Sequence, residues 1–249
     1  MQALLAALHT EGIWLLVAGV FLAGLVRGFS GFGTAMVYLP IAGQVLSPFE
    51  ALTTLITMDL IGPLLNIPKA MRTGAMGDVR RLLLGTLIGL PVGVWMLSLV
   101  APEVFRYGVS LIALLLLAIL LAGLRYRGIL TKRLIFGTGA LSGLLAGSVG
   151  LPGPPVILLY MASPHRAAVI RATIMVYLIA ADVLMLGMLA LNGYLVGTAV
   201  VLGLILAIPY TIGNLSGAAI FHPKAERVYR AVAYIIIAVS ALNGLPLFD

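Results

Sequence analysis

The chain has 249 residues, 62% of them apolar and only 9% charged, with a net charge of +7. A soluble domain carries about 25% charged residues, and apolar runs near span length recur here from end to end, so the bilayer is the solvent. That excludes a soluble enzyme, a nucleic-acid binder and a disordered chain. The absence of cysteine excludes disulfides, thiolate metal sites and a cysteine nucleophile.

The opening MQALLAALHTEG lacks the basic flank and cleavage pattern of a signal peptide, so no cleaved leader is expected. The first apolar stretch, 12–46, would be about 52 Å long as one helix, too long for a ~30 Å hydrocarbon core, and it is too short for two spans. Its middle, Gly28 to Gly33, is a glycine-rich helix breaker. Ordinary spans are expected at 47–67, 80–100 and 104–124. The stretch 133–163 repeats the first anomaly, with a break at Gly147-Ser-Val-Gly-Leu-Pro-Gly-Pro-Pro155. Adjacent prolines cannot lie inside a regular helix but suit a first turn. Each of these two stretches is therefore expected as two half-length helices meeting at a break inside the membrane. Three more spans follow at 167–191, 197–220 and 228–247. Pro63, Pro91 and Pro209 fall within spans, where neighbouring helices re-satisfy the freed carbonyls.

The two broken stretches are related. Gly24, Gly28 and Gly31 fall on Gly143, Gly147 and Gly150, and both copies read Gly-Leu-x-x-Gly-x-x-Gly; Gly85 and Pro91 fall on Gly203 and Pro209 at almost the same offset. This favours a duplicated unit, about 12–124 and 132–247, within one membrane domain spanning 1–249. Charge then orients the halves. If each broken stretch crosses the membrane, basic residues divide 8 to 6 between the sides. If each is a re-entrant hairpin, the loops 69–81, 125–133, 165–171 and 224–230 share a side and hold 13 of the 15 basic residues, leaving only Arg27 and Arg106. The positive-inside rule selects the second arrangement. The expected fold is all-α and polytopic, with two inverted repeats, each a hairpin plus three transmembrane helices, and both termini outside the plasma membrane. Inverted repeats with broken helices are a secondary-transporter architecture, with substrate near the midplane.

Arg27-Gly-Phe-Ser-Gly-Phe-Gly33, with Pro40 downstream, resembles the first glycine motif of the sulfite exporter TauE/SafE family. Gly147-Ser-Val-Gly-Leu-Pro-Gly-Pro-Pro-Val156 resembles its second, and Arg171-Ala-Thr173 with Tyr177 resembles the Arg-Ala-Thr segment that follows. The resemblance covers essentially the whole chain. It implies export of a small sulfur-containing anion such as sulfite or an organosulfonate, although family membership does not by itself fix the ligand. The chain departs from the usual motif at Leu151-Pro152 and at Thr34 and Ala35.

A small oxyanion needs N–H donors and positive potential, which helix N-termini at a break supply. The two half-helices beginning near Gly33 and Pro154 are expected to form one anion site, with Ser30, Thr34 and Ser148 adding hydroxyls. Ser30, Gly31, Gly33, Gly150 and Gly153 lie nearest the breaks, with Phe32 between glycines of the first. Gly24, Gly28, Gly143 and Gly147 read equally as small-residue packing faces. Arg27 lies beyond easy snorkelling range, and a buried intramembrane charge is costly and usually functional. It is either the cation that pairs with substrate or a structural arginine capping carbonyls at the break. Asp59 and Asp182, the acids well inside spans, either carry protons for coupling or neutralise Arg27 and Arg171. Arg171 is either an anion contact at the inner mouth or positive-inside charge.

His9, His165 and His222 are scattered, and no ligand spacing for a metal occurs, so neither metal nor cofactor is expected. The expected partners are a small anion and the bilayer, with a homodimer as an option and no nucleic acid. Two other readings compete with a transporter. A lipid-pyrophosphate phosphatase-like intramembrane enzyme would want clustered carboxylates or a nucleophile–base pair near the break. An anion channel would conduct on voltage alone.

Overall fold

The structure is a computed structural model and describes residues 7, 12–61, 67–123, 130–160, 163, 165–220, 222 and 226–245. Every regular element among them is a helix: α1 Ile13–Ser30, α2 Thr34–Ala42, α3 Pro48–Ile61, α4 Ile67–Thr73, α5 Met76–Ser98, α6 Pro102–Leu121, α7 Lys132–Val149, α8 Gly153–Tyr160, α9 Ala167–Leu191, α10 Gly197–Ile220 and α11 Glu226–Asn243. Five are long and apolar enough to cross a membrane: α1, α5, α6, Ala168–Leu191 of α9, and α10. The expected all-helical polytopic class is what the chain adopts. His9, Pro63, Asn66, Arg125, Arg127, Lys224 and the two ends, whose side was read from charge, lie outside the described residues.

Both breaks fall where the glycines place them, but their arms are unequal. α1 and α7 each run 18 residues, whereas α2 has 9 and α8 has 8. At 1.5 Å per residue the long arms reach about 27 Å and the short ones about 12–14 Å. This corrects the expectation of two half-length helices. Gly24 and Gly28, like Gly143 and Gly147, are accommodated within the helix, and it stops only where a glycine turns left-handed. Gly31 (φ 79°) and Gly150 (φ 70°) do this, and their N–H groups close on Arg27 O and Ala146 O at 2.7 and 3.0 Å. At each break the short arm packs on the long one.

The expected span 47–67 is also modified. α3 is 14 residues long, residues 62–66 lie outside the description, and 67–73 forms a separate helix. Its start is set by a capping box. The Ser47 N–H and hydroxyl both donate to Glu50 Oε2, at 3.0 and 2.6 Å, with Pro48 in the first turn. α5 begins at Met76, earlier than expected, because Asp78 in its first turn complements the helix dipole; Arg80 and Arg81 are thus helical. Arg171, counted with the basic loop 165–171 but also inside the expected span 167–191, lies within α9, since residues 167–191 form one uninterrupted helix. α5 and α10 run through Pro91 and Pro209 without a break.

The chain divides into two compact units, and neither follows the sequence repeat. The first comprises 1–61, 101–118 and 194–249; the second comprises 62–100 and 119–193. Within the first, α1 of the leading half packs along α10 of the trailing half; within the second, α5 packs along α7. Each unit thus joins a broken helix from one half to a long helix from the other. Glycine makes both crossings close. A Cβ on Gly24 or Gly28 would lie 2.3 or 2.2 Å from the carbonyls of Tyr210 and Asn214, and one on Gly213 or Gly217 would lie 2.3 Å from those of Phe21 and Leu25. In the second unit Gly85, Gly89 and Gly93 face α7, while Gly139, Gly143 and Gly147 face α5. The opposite face of α5 exposes Leu84, Ile88, Val92 and Trp95, and that of α10 exposes Leu204, Ile208 and Leu215. Small residues inside and large apolar ones outside is the pattern of packing in lipid.

Candidate functional site

Arg27 lies one turn before the end of α1, where the negative end of the helix dipole suits a cation. Thr34 opens α2 across the break, Asp59 lies near the end of α3, and Tyr210 lies in α10. These four side chains close a ring within the first unit. Arg27 Nη1 donates to Asp59 Oδ2 at 2.7 Å and to Thr34 Oγ1 at 3.3 Å. The Tyr210 hydroxyl donates to the other carboxylate oxygen, Oδ1, at 2.5 Å, and meets Thr34 Oγ1 at 3.2 Å. Thr34 and Tyr210 are buried, at 3% and 1% exposure, while the Arg27 and Asp59 side chains retain 19% and 16%. An ion pair so enclosed is held by geometry and by the remaining hydrogen bonds as much as by charge.

The packing above places the ring. Gly24 brings the backbone of Tyr210 against α1, and Gly203 brings α10 against Thr54 and Thr57 of α3. On α3, Thr54 Oγ1 also meets the Tyr38 hydroxyl of α2 at 2.8 Å. Three of the sequence candidates, Arg27, Thr34 and Asp59, are thereby brought together. Tyr210 was missed. Its signal was a phenol in the apolar run Ala207-Ile-Pro-Tyr210, whose partner lies 151 residues away.

The remaining candidates at the first break are Ser30, Gly31, Phe32 and Gly33. Ser30 Oγ lies 2.6 Å from Val26 O and 2.7 Å from Phe32 O, and accepts from Phe32 N at 3.3 Å, so the hydroxyl braces the turn. Gly31 has open space where a Cβ would stand. α2 starts with its Gly33 cap making no side-chain hydrogen bond, and by helix geometry the Thr34, Ala35 and Met36 N–H groups have no partner within α2. Gly28 faces α10 and Gly147 faces α5, both in backbone contact.

The second break is braced differently. Thr86 Oγ1 meets the Tyr177 hydroxyl at 2.9 Å, Tyr177 donates to Ser142 Oγ at 2.5 Å, and Ser142 donates to Pro152 O within the break. A chain of three hydroxyls thus links α5, α9 and α7 to the loop preceding α8. Tyr177 came from the family resemblance; Thr86 and Ser142 were missed, although each is a hydroxyl amid apolar residues and glycine. Ser148 donates to Leu144 O at 2.8 Å. Gly150, Gly153 and Pro154 line this break, but Pro154 and Pro155 have no N–H, so Gly153 and Val156 carry the first donors of α8. The second tip is therefore a poorer anion cradle than the first. Arg171 is exposed near the start of α9, and Asp182 lies in the same helix, five residues beyond Tyr177. At the start of α5, Asp78 pairs with Arg81 at 2.8 Å and accepts from Tyr160, the last residue of α8, at 3.0 Å. Among the described residues no group of three or more His, Asp or Glu is gathered that could hold a metal.

No curated protein and no solved structure matches the chain. A family model described as "Sulfite exporter TauE/SafE" matches residues 16–244, nearly the full length. The chain therefore belongs to the sulfite exporter TauE/SafE family, a family of membrane transporters rather than enzymes.

Proposed function

We propose that this integral membrane protein exports a small sulfur-containing anion, sulfite or an organosulfonate, as a secondary transporter of the plasma membrane. The glycine-rich breaks are its anion-facing elements and Arg27 is its anion-pairing cation. One observation carries the assignment to Arg27. The guanidinium stands where α1 ends and α2 begins, beside a helix N-terminus whose first N–H groups have no partner within α2, and it is bonded to a carboxylate. A carboxylate on an arginine at a helix break has the chemistry of a bound oxyanion, and Asp59 marks the place on Arg27 that an anion would take. Ser30, Gly31, Phe32, Gly33 and Thr34 shape the first break, and Gly150, Gly153 and Pro154 the second. Gly28, Gly147 and Ser148 support the helices behind them. Arg171 adds positive potential near the start of α9. Asp59 and Asp182 are the acids through which proton coupling would run, and Asp59 is the one bonded to Arg27.

The test is flux of sulfite, methanesulfonate, sulfoacetate, sulfate and chloride through proteoliposomes. Wild-type protein is expected to carry sulfite or a sulfonate in preference to chloride. Arg27→Gln alone strands Asp59, which would cost about 3–5 kcal/mol in a buried site. The Arg27→Gln/Asp59→Asn double variant removes both charges together and is expected to fold yet lose at least 90% of anion flux. Full flux in the double variant would reduce Arg27 to a structural residue.

A further inference from the structure

We infer that the end of α3 bearing Glu50 carries a second binding site, distinct from the Arg27 ring, for a small zwitterion: a short aliphatic chain with an ammonium at one end and an acid group at the other. The site is a cavity of about 240 Å³ within the first unit. Val45, Leu46 and Glu50 line it around the start of α3, and Thr198, Ala199 and Leu202 line it from α10.

The cavity follows from how the two helices meet. Gly203 brings α10 against α3: a Cβ there would lie 2.9 Å from Thr54 O and 2.7 Å from Thr57 Cβ. Glu50 precedes Thr54 by about one helical turn, and Ala199 precedes Gly203 by the same step. The space therefore opens one turn before the contact on both helices.

Its two walls differ in chemistry. On α3, the Ser47 N–H and hydroxyl both engage Glu50 Oε2, and the second carboxylate oxygen, Oε1, has no hydrogen bond among the described residues. On α10, the Val200 N–H closes on Val196 O at 3.1 Å, so the Thr198 and Ala199 N–H groups come before the helical ladder, and Thr198 adds a hydroxyl. One wall thus offers a negative charge, and the other offers donors at the positive end of a helix dipole. A lone cation would face that dipole, and a lone anion would face Glu50. A ligand with both charges answers both walls, and its methylenes meet Val45, Leu46 and Leu202. The volume equals that of about eight waters at ~30 Å³ each, which is room for a short ω-amino acid. At 1.5 Å per residue, Asp59 lies about 14 Å along α3 from Glu50, and Tyr210 about 17 Å along α10 from Ala199. The cavity and the ring are therefore separate sites on the same pair of helices.

The experiment measures binding to the purified full-length chain in detergent, by calorimetry and by the rise in melting temperature. Three probes of equal carbon number are compared: 4-aminobutyrate, n-butylamine and butyrate. 4-Aminobutyrate is expected to bind at least about tenfold more tightly than either singly charged probe. Glu50→Gln keeps the capping box, because glutamine serves at that position, but removes the charge. It is expected to weaken 4-aminobutyrate binding at least about tenfold. Thr198→Phe fills the cavity from the α10 wall without touching the capping box and is expected to abolish binding. No binding of 4-aminobutyrate to wild type overturns the inference. So does equal binding of n-butylamine or butyrate, and so does unchanged binding in either variant. The wild-type comparison and Thr198→Phe decide the matter even if Glu50→Gln does not fold. None of these measurements reads anion flux, so each outcome leaves Proposed function where it stands.

Discussion

Tyr210 and Tyr177 are buried phenols in apolar helices, and each solves the same problem of satisfying a polar group where water is scarce. Tyr210 does so with a carboxylate, which makes its site electrically active. Tyr177 does so with Ser142 and Thr86, which makes its site a brace for the second break. Removing a brace orphans its neighbours, and a buried unsatisfied group costs about 1–3 kcal/mol. Ser142→Ala strands the Pro152 carbonyl and leaves Tyr177 with Thr86 alone, whereas Tyr177→Phe leaves Ser142 bonded to Pro152. Ser142→Ala is therefore expected to lower the melting temperature in detergent more than Tyr177→Phe. The reverse order would show that the brace is not held at Ser142. Arg27 and Asp59 were legible in the sequence because a charge within an apolar run stands out. Tyr210, Ser142 and Thr86 were not, because one hydroxyl in a membrane helix looks the same whether it bonds its own backbone or a distant helix.

For the helices, the glycines divide into two kinds. Gly31 and Gly150 end helices, and their left-handed backbone explains why a break occurs there. Gly24, Gly28, Gly143 and Gly147 lie inside helices and let another helix come to backbone contact, which is a packing role. Spacing alone could not separate the kinds, since all belong to one Gly-Leu-x-x-Gly-x-x-Gly series. The unequal arms follow from the same distinction. A leucine at Gly89 would begin with its Cβ 1.9 Å from Ala140 O, whereas one at Gly187 in α9 meets open space. Overpacking costs about 1–3 kcal/mol where neighbours can shift, and here the neighbour is backbone. Gly89→Leu is expected to abolish the monodisperse peak on gel filtration, and Gly187→Leu to leave it unchanged. A well-behaved Gly89→Leu protein would mean that the α5–α7 crossing is looser than described.

At the scale of the whole molecule, the few loop charges predict orientation. With the basic loops inside, single cysteines at Ser47 and Asn192 are expected to react with an impermeant maleimide from outside, and one at Ala75 is not. The native chain lacks cysteine and needs no background removal. Labelling of Asn192→Cys only after permeabilisation would refute the inverted arrangement.

The sequence by itself determined the membrane environment, the all-helical class, the two break positions, the family and the isolated charge of Arg27. These depend on composition and on neighbours along the chain, where hydropathy and glycine act locally. The tertiary structure decided the partners. It joined α1 to α10 and α5 to α7 across the halves, and it brought Asp59 to Arg27. It also enlisted Tyr210, 151 residues from its carboxylate. Such pairings depend on which glycine faces meet, and several faces in this chain are equally small, so only the packed helices distinguish them.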